Sequence, residues 1–154
     1  MIQTDAIAAI RDSICESNDR LFACLDGLTP GQLNWTPPAE GANSIYAIAS
    51  HALSAAAGLI LVRAFHQQVE TPPHAGWGAE GESAEPLRAR WQELRPRIHQ
   101  TLTRASQADL ERECEHPRLG KMSAWQMLLL ANRHTSEHIG HIELTRDLAK
   151  AAGA

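Results

Sequence analysis

Met127-Leu128-Leu129-Leu130-Ala131-Asn132-Arg133-His134-Thr135-Ser136-Glu137-His138-Ile139-Gly140-His141 is the stretch on which the fold turns. At 100° per residue, Met127, Leu130, Thr145 and Leu148 lie within about 40° of His134. One apolar stripe therefore runs at helical spacing into His134, His138 and His141 and out again. That pattern predicts a helix from Ser123 to about Ala149 with one face in a core. It also predicts that the three imidazoles point inward rather than to solvent.

Working outward, three more helices follow from the same periodicity. The first is expected from Thr4 to Leu25, with Ile7, Ile10, Ile14, Leu21 and Leu25 near one face and Gly27 beyond its end. The second begins at Asn43 or Ser44, both good caps, and runs to about Gln68. Ala47, His51, Ala55, Gly58 and Val62 share a face there, which is unusually small around His51. The third spans about Glu85 to Ala105, with Leu87, Trp91, Leu94, Ile98 and Leu102 as its stripe and Pro96 as an expected kink. Thr29 before Pro30 is placed to start a short helical turn. The stretch from Glu70 to Ser83 reads as a long loop, either a lid or a mobile connection. Ser106 to Gly120 reads as a polar connection, and no segment reads as a strand. Four amphipathic helices make an all-α bundle the expected architecture, as a single domain over residues 1–154.

The bulk composition narrows the function. Net charge is −4 and the cations are scattered among acids, which argues against a nucleic-acid partner. The longest apolar runs, Ala52 to Val62 and Trp125 to Ala131, read as too short to span a bilayer, so no membrane partner is expected. The residues Met1 to Asp5 lack a basic region ahead of an apolar segment, so no secretory signal is expected. Cys15, Cys24 and Cys114 are odd in number and widely spaced, with no CxxC pair. They fit small core positions in a reducing, cytoplasmic setting.

Of eight histidines, the three on the last helix carry the chemistry. Buried imidazoles need partners, and crowding disfavours their protonation. One divalent ion resolves both problems, because neutral imidazole suits Zn²⁺, Ni²⁺ or Fe²⁺. His134 and His138, four residues apart, place two nitrogens on one side of an ion, and His51 is the best third ligand. Three histidines with an open position is a catalytic pattern; the plainer alternative is a hydrogen-bonded core cluster. His66, His74, His99 and His116 read as surface residues. His134-Thr135-Ser136-Glu137-His138 also fits the H-x-x-E-H peptidase signature, although such peptidases are much larger. A ferritin-like di-iron site fits poorly, since the one Glu-x-x-His pair, Glu113 to His116, precedes Pro117.

At these residues the chain resembles the DinB-like family, also called the DinB/YfiT-like metalloenzymes. Leu28-Thr29-Pro30-Gly31-Gln32-Leu33-Asn34-Trp35-Thr36-Pro37 resembles the loop after the family's first helix. Asn43-Ser44-Ile45 followed by His51 resembles the start of its second helix with a first ligand. His134-x-x-x-His138-x-Gly140 resembles its final-helix motif. The resemblance implies a four-helix bundle of up-down-down-up connectivity, often a homodimer, with which the apolar Leu129 outside the histidine face is compatible. It implies zinc or nickel held by three histidines and water. Relatives include S-transferases using bacillithiol or mycothiol and a mycothiol-dependent maleylpyruvate isomerase. His141 departs from the glutamine many members carry there, so it is a candidate fourth ligand, neighbour to a ligand, or general base.

The expected function is that of a metal-dependent transferase of a low-molecular-weight thiol acting on a small-molecule substrate. His51, His134 and His138 are the expected ligands. His141 and Glu137 are the expected proton-handling residues, with Trp35 and Trp77 as candidates for the pocket mouth. The alternatives are metal-assisted hydrolysis and a non-enzymatic, stress-related binding protein stabilised by its metal.

Overall fold

The computed structural model describes residues 4–70 and 76–154. Thr4–Ala23 forms α1 and Pro30–Asn34 forms α2. Ile45–Ala56 forms α3, which continues as a π-helix over Ala57–Ala64. Glu85–Arg104 forms α4, Gln107–Glu111 forms α5, and Ala124–Ala151 forms α6. A small antiparallel hairpin, β1 (Glu113–His116) and β2 (Gly120–Ser123), lies between α5 and α6.

The helix starts are set by their caps. Ser44 Oγ accepts the Ala47 N–H and Ser123 Oγ accepts the Gln126 N–H, each at 3.2 Å. In α2, Thr29 and Gln32 cap each other reciprocally. Such caps satisfy N–H groups that the first helical turn leaves without partners. Helix α4 runs unbroken through Pro96. Gln92 and Pro96 are both exposed, so water can replace the hydrogen bond that proline deletes.

The four long helices surround one core. α6 packs between α1 and α3, and α4 closes the ring against α1 and the π segment. Ile14, Leu21, Ile60, Leu61, Leu94, Ile98 and Met127 are fully buried there, each contributing roughly 1.5–3 kcal/mol through removal from water. Side-chain bonds fix which ends meet. Arg11 near the start of α1 donates to Thr103 near the end of α4, whereas Arg88 near the start of α4 donates to the Phe22 carbonyl. Asn132 of α6 donates to Ser13, and Arg20 reaches Glu143 further along the same helix.

Several expectations need correction. Glu113–His116 and Gly120–Ser123 are strands, not polar connection. Each strand has four residues, and Cys114 is the single buried side chain of the pair, so no period-two apolar signal marks them. Gly120, at φ +75°, closes the turn with a conformation that glycine adopts freely. The apolar length of the second long helix also differs from expectation. Ile45–Ala64 is long and apolar enough by itself to cross a membrane, but 67% of its most apolar 18-residue stretch is buried inside this bundle as a core helix. Leu148, expected on the inner stripe, is 43% exposed.

The π segment changes which residues face inward. In α-helix, eleven residues after His51 bring Val62 back to within about 20° of it. Hydrogen bonds from residue i+5, such as Phe65 N–H to the Ile60 carbonyl, turn the chain less per residue. The register slips, Val62 is exposed, and Arg63 comes to the His51 side.

The loop ahead of α4 is anchored over its described part. Gly76 N–H donates to Ser50 Oγ at 3.0 Å, and Asn34 clamps Gly81 through both its N–H and its carbonyl. The Gly81 backbone lies against the Tyr46 ring, which a Cβ would strike at 2.3 Å. His74 lies outside the described residues.

Candidate metal centre

Two core helices bring three imidazoles together. His51 comes from the middle of α3, among the small side chains of Ala47, Ala52 and Ala55. His134 and His138 come from successive turns of α6. The Nε2 atoms of His51 and His134 are 3.2 Å apart, as are those of His134 and His138. The ligand atoms of all three lie within 4.8 Å of one another.

The donor set fits a small divalent ion. Imidazole nitrogens at about 2.0–2.1 Å from a tetrahedral zinc stand roughly 3.3 Å apart. Two of the three pairs already have close to that spacing. The rings are also in the ligating protonation state. Burial, then the neighbouring His134 and the charge of Arg118, lowers the His51 pKa to about 4. Burial, then His134, His51 and His141, lowers that of His138 to about 4. Burial lowers His134 as well, partly opposed by Glu137.

His141 differs from the inward-pointing residue expected from the stripe. It is exposed, and its Nδ1 lies 3.4 Å from His138 Nδ1, on the ring edge away from the cluster. It touches a cluster member rather than joining the cluster. Glu137 is exposed too, paired with Arg133 at 3.3 Å, and lines the cleft beside the imidazoles.

That cleft has a volume of about 660 Å³, enough for a small molecule. Ala55, Gly58, Leu59 and Leu130 give it an apolar wall. Trp77 covers one side and stacks on His51, with ring centroids 3.9 Å apart and planes 19° from parallel. Trp35 is half-buried and is not among the residues lining this cleft.

The hairpin supplies residues that periodicity did not single out. His116, read as a surface residue, is half-buried and lines the cleft with Arg118 and Leu119. Its Nδ1 accepts the N–H groups of Arg118 and Leu119 at 3.2 and 3.1 Å, which shapes the turn. A turn signal, Pro117 followed by Gly120, was present in the sequence; what it faced was not.

Neither a curated protein nor a solved structure matches the chain. A family model, that of the DinB superfamily, matches residues 15–142, a span that includes every imidazole of the cluster. The chain belongs to the DinB superfamily.

Proposed function

We propose that this protein holds one divalent ion, zinc or nickel ahead of iron, through His51, His134 and His138, and transfers a low-molecular-weight thiol to a small electrophilic substrate. The observation that carries the reading is the convergence of three neutral imidazoles at the wall of an open cleft. A closed four-ligand cage would suit a structural ion; three donors facing free space suit catalysis.

Bound there, the ion supplies Lewis acidity that lowers the pKa of a thiol sulfur. The protein's own groups do the rest. His141 Nδ1 accepts the His138 Nδ1–H, which leaves the His138 Nε2 lone pair for the ion. Glu137 Oε takes the proton released by the thiol. Trp77 shields His51 from water, and the apolar wall orients the acceptor. The sulfur forms a bond to the acceptor carbon, and the bond from that carbon to its leaving group breaks, the electron pair departing with the leaving group.

Other parts of the reading stand with it. The bonds from α1 to α4 and α6 described above support up-down-down-up connectivity. The exposed Leu129 and Leu144 of α6 support a homodimer. The free thiols of Cys15, Cys24 and Cys114 support a cytoplasmic setting. No nucleic-acid or membrane partner belongs to the proposal.

The test is an assay of zinc- and nickel-loaded protein with several thiols and a chlorodinitrobenzene acceptor. Thiol-dependent turnover that His138→Ala abolishes is expected. Turnover that needs no thiol would replace transfer with hydrolysis, and no turnover with a metal-dependent melting temperature would leave a metal-stabilised binding protein.

A further inference from the structure

We propose that Arg63 and Arg118, with the His116 ring, form an anion-binding subsite at the hairpin end of the cleft, so that the molecule bound there carries a carboxylate on an apolar body. The inference rests on the metal reading only for what lies at the cleft's other end.

Three observations support it. First, both arginines line the cleft, yet neither guanidinium is paired with a carboxylate among the described residues. Arg63 spends one N–H on the Glu115 carbonyl at 3.3 Å, which braces the hairpin and leaves its other donors free. Glu137, the acidic group on the same wall, is already paired with Arg133. Second, two departures from regular structure bring the cations here. The π winding puts Arg63 where a regular helix would put Val62, and His116 folds the turn that carries Arg118. Because His116 Nδ1 accepts those backbone bonds, its ring proton sits on Nε2 as a further donor. Third, the charge count favours an anion. The three imidazoles bring no charge of their own, and two arginines without a carboxylate partner among the described residues make this concave, partly apolar space cationic even without an ion. Guanidinium binds carboxylate through a planar, two-pronged contact. Gly58, Leu59 and Leu130 offer the rest of the molecule an apolar wall.

The test is calorimetric titration of a panel of aliphatic and aryl carboxylates, each against its own amide, into zinc-loaded and chelator-stripped protein. At least one carboxylate is expected to bind about tenfold tighter than its amide in both forms. Arg118→Met should remove most of that preference and Arg118→Lys should keep part of it. Arg118 is the decisive position because its side chain holds no hydrogen bond among the described residues, whereas Arg63→Met also loosens the hairpin. Mercaptocarboxylates locate the anion. Extra affinity needing Zn²⁺ and Arg118 together puts it on the thiol, and equal affinity puts it on the acceptor; both uphold the subsite. The proposal is overturned if no carboxylate exceeds its amide, or if the preference needs Zn²⁺ and survives Arg118→Met. Arg118-dependent binding in a protein that takes up no Zn²⁺ would sink the metal reading and leave this one standing.

Discussion

His51 Nε2 lies 3.2 Å from His134 Nε2, although 83 positions separate the two residues in the chain. Packing of α3 against α6 makes that meeting, and it sets the protonation of the whole cluster.

The first prediction concerns acid. An imidazole in the unfolded chain titrates near 6.5, while those of His51 and His138 in the fold titrate at about 4. Between those values the unfolded chain binds protons that the native state refuses. Stability of the metal-free protein is therefore full above pH 6.5 and falls as pH drops toward 4. Thermal melts of chelated protein should show this, and His138→Gln should reduce the proton uptake on unfolding by about one.

In the proposed metal site, His141 would act through its contact with His138 rather than on an ion directly. Replacing it with alanine should weaken zinc affinity by about 10–100-fold while leaving the helical circular dichroism unchanged. A glutamine there, able to accept the same bond, should recover part of the loss. An unaltered affinity would mean the 3.4 Å contact has no positioning role.

Glycines 81 and 58 should respond in opposite ways. Gly81→Ala drives a methyl into the buried Tyr46 ring and should cost about 1–3 kcal/mol, read by urea denaturation. Gly58→Ala meets nothing within 4 Å and replaces a helical glycine, which should stabilise the fold by about 0.5–1 kcal/mol. Its methyl also narrows the cleft, so ligand binding should weaken while stability rises.

Away from the site, Asp19 accepts the indole N–H of the buried Trp91 at 2.8 Å and a two-pronged contact from Arg95. Burial pushes its pKa up, but the bonds from Arg95 and Trp91 hold it below the usual range. Asp19→Ala should cost about 1–3 kcal/mol, mostly from the orphaned indole. Arg95→Ala should cost less, since that pair is about half exposed and screened. Equal losses would put the weight on the ion pair instead.

These elements differ in how far their sequence announces them. His134 and His138 were legible because i, i+4 spacing is local geometry, and His51 because alanines surround it. Ser44 and Ser123 announced their helix starts for the same local reason. Arg63 was hidden because a π-helix is a shift of backbone bonds, and an α-helical wheel assigns its place to Val62. The hairpin was hidden because just Cys114 and the half-buried Met122 tie it to the core, too few apolar residues to alternate, and His116 and Arg118 were hidden with it. His141 shares the stripe by angle, yet it is exposed while Ile142 and Thr145 beside it are buried, so cover along the stripe is uneven. Periodicity gives the direction of a side chain and not the extent of its neighbours.

Zinc titration by calorimetry with elemental analysis of the dialysed protein tests the central claim most directly. Wild-type chain should retain one ion, with His134→Ala lowering affinity more than a hundredfold and His66→Ala changing nothing. A wild-type protein that retains no zinc or nickel, or a His51, His134 and His138 triple-alanine variant that binds as tightly as wild type, would contradict the account.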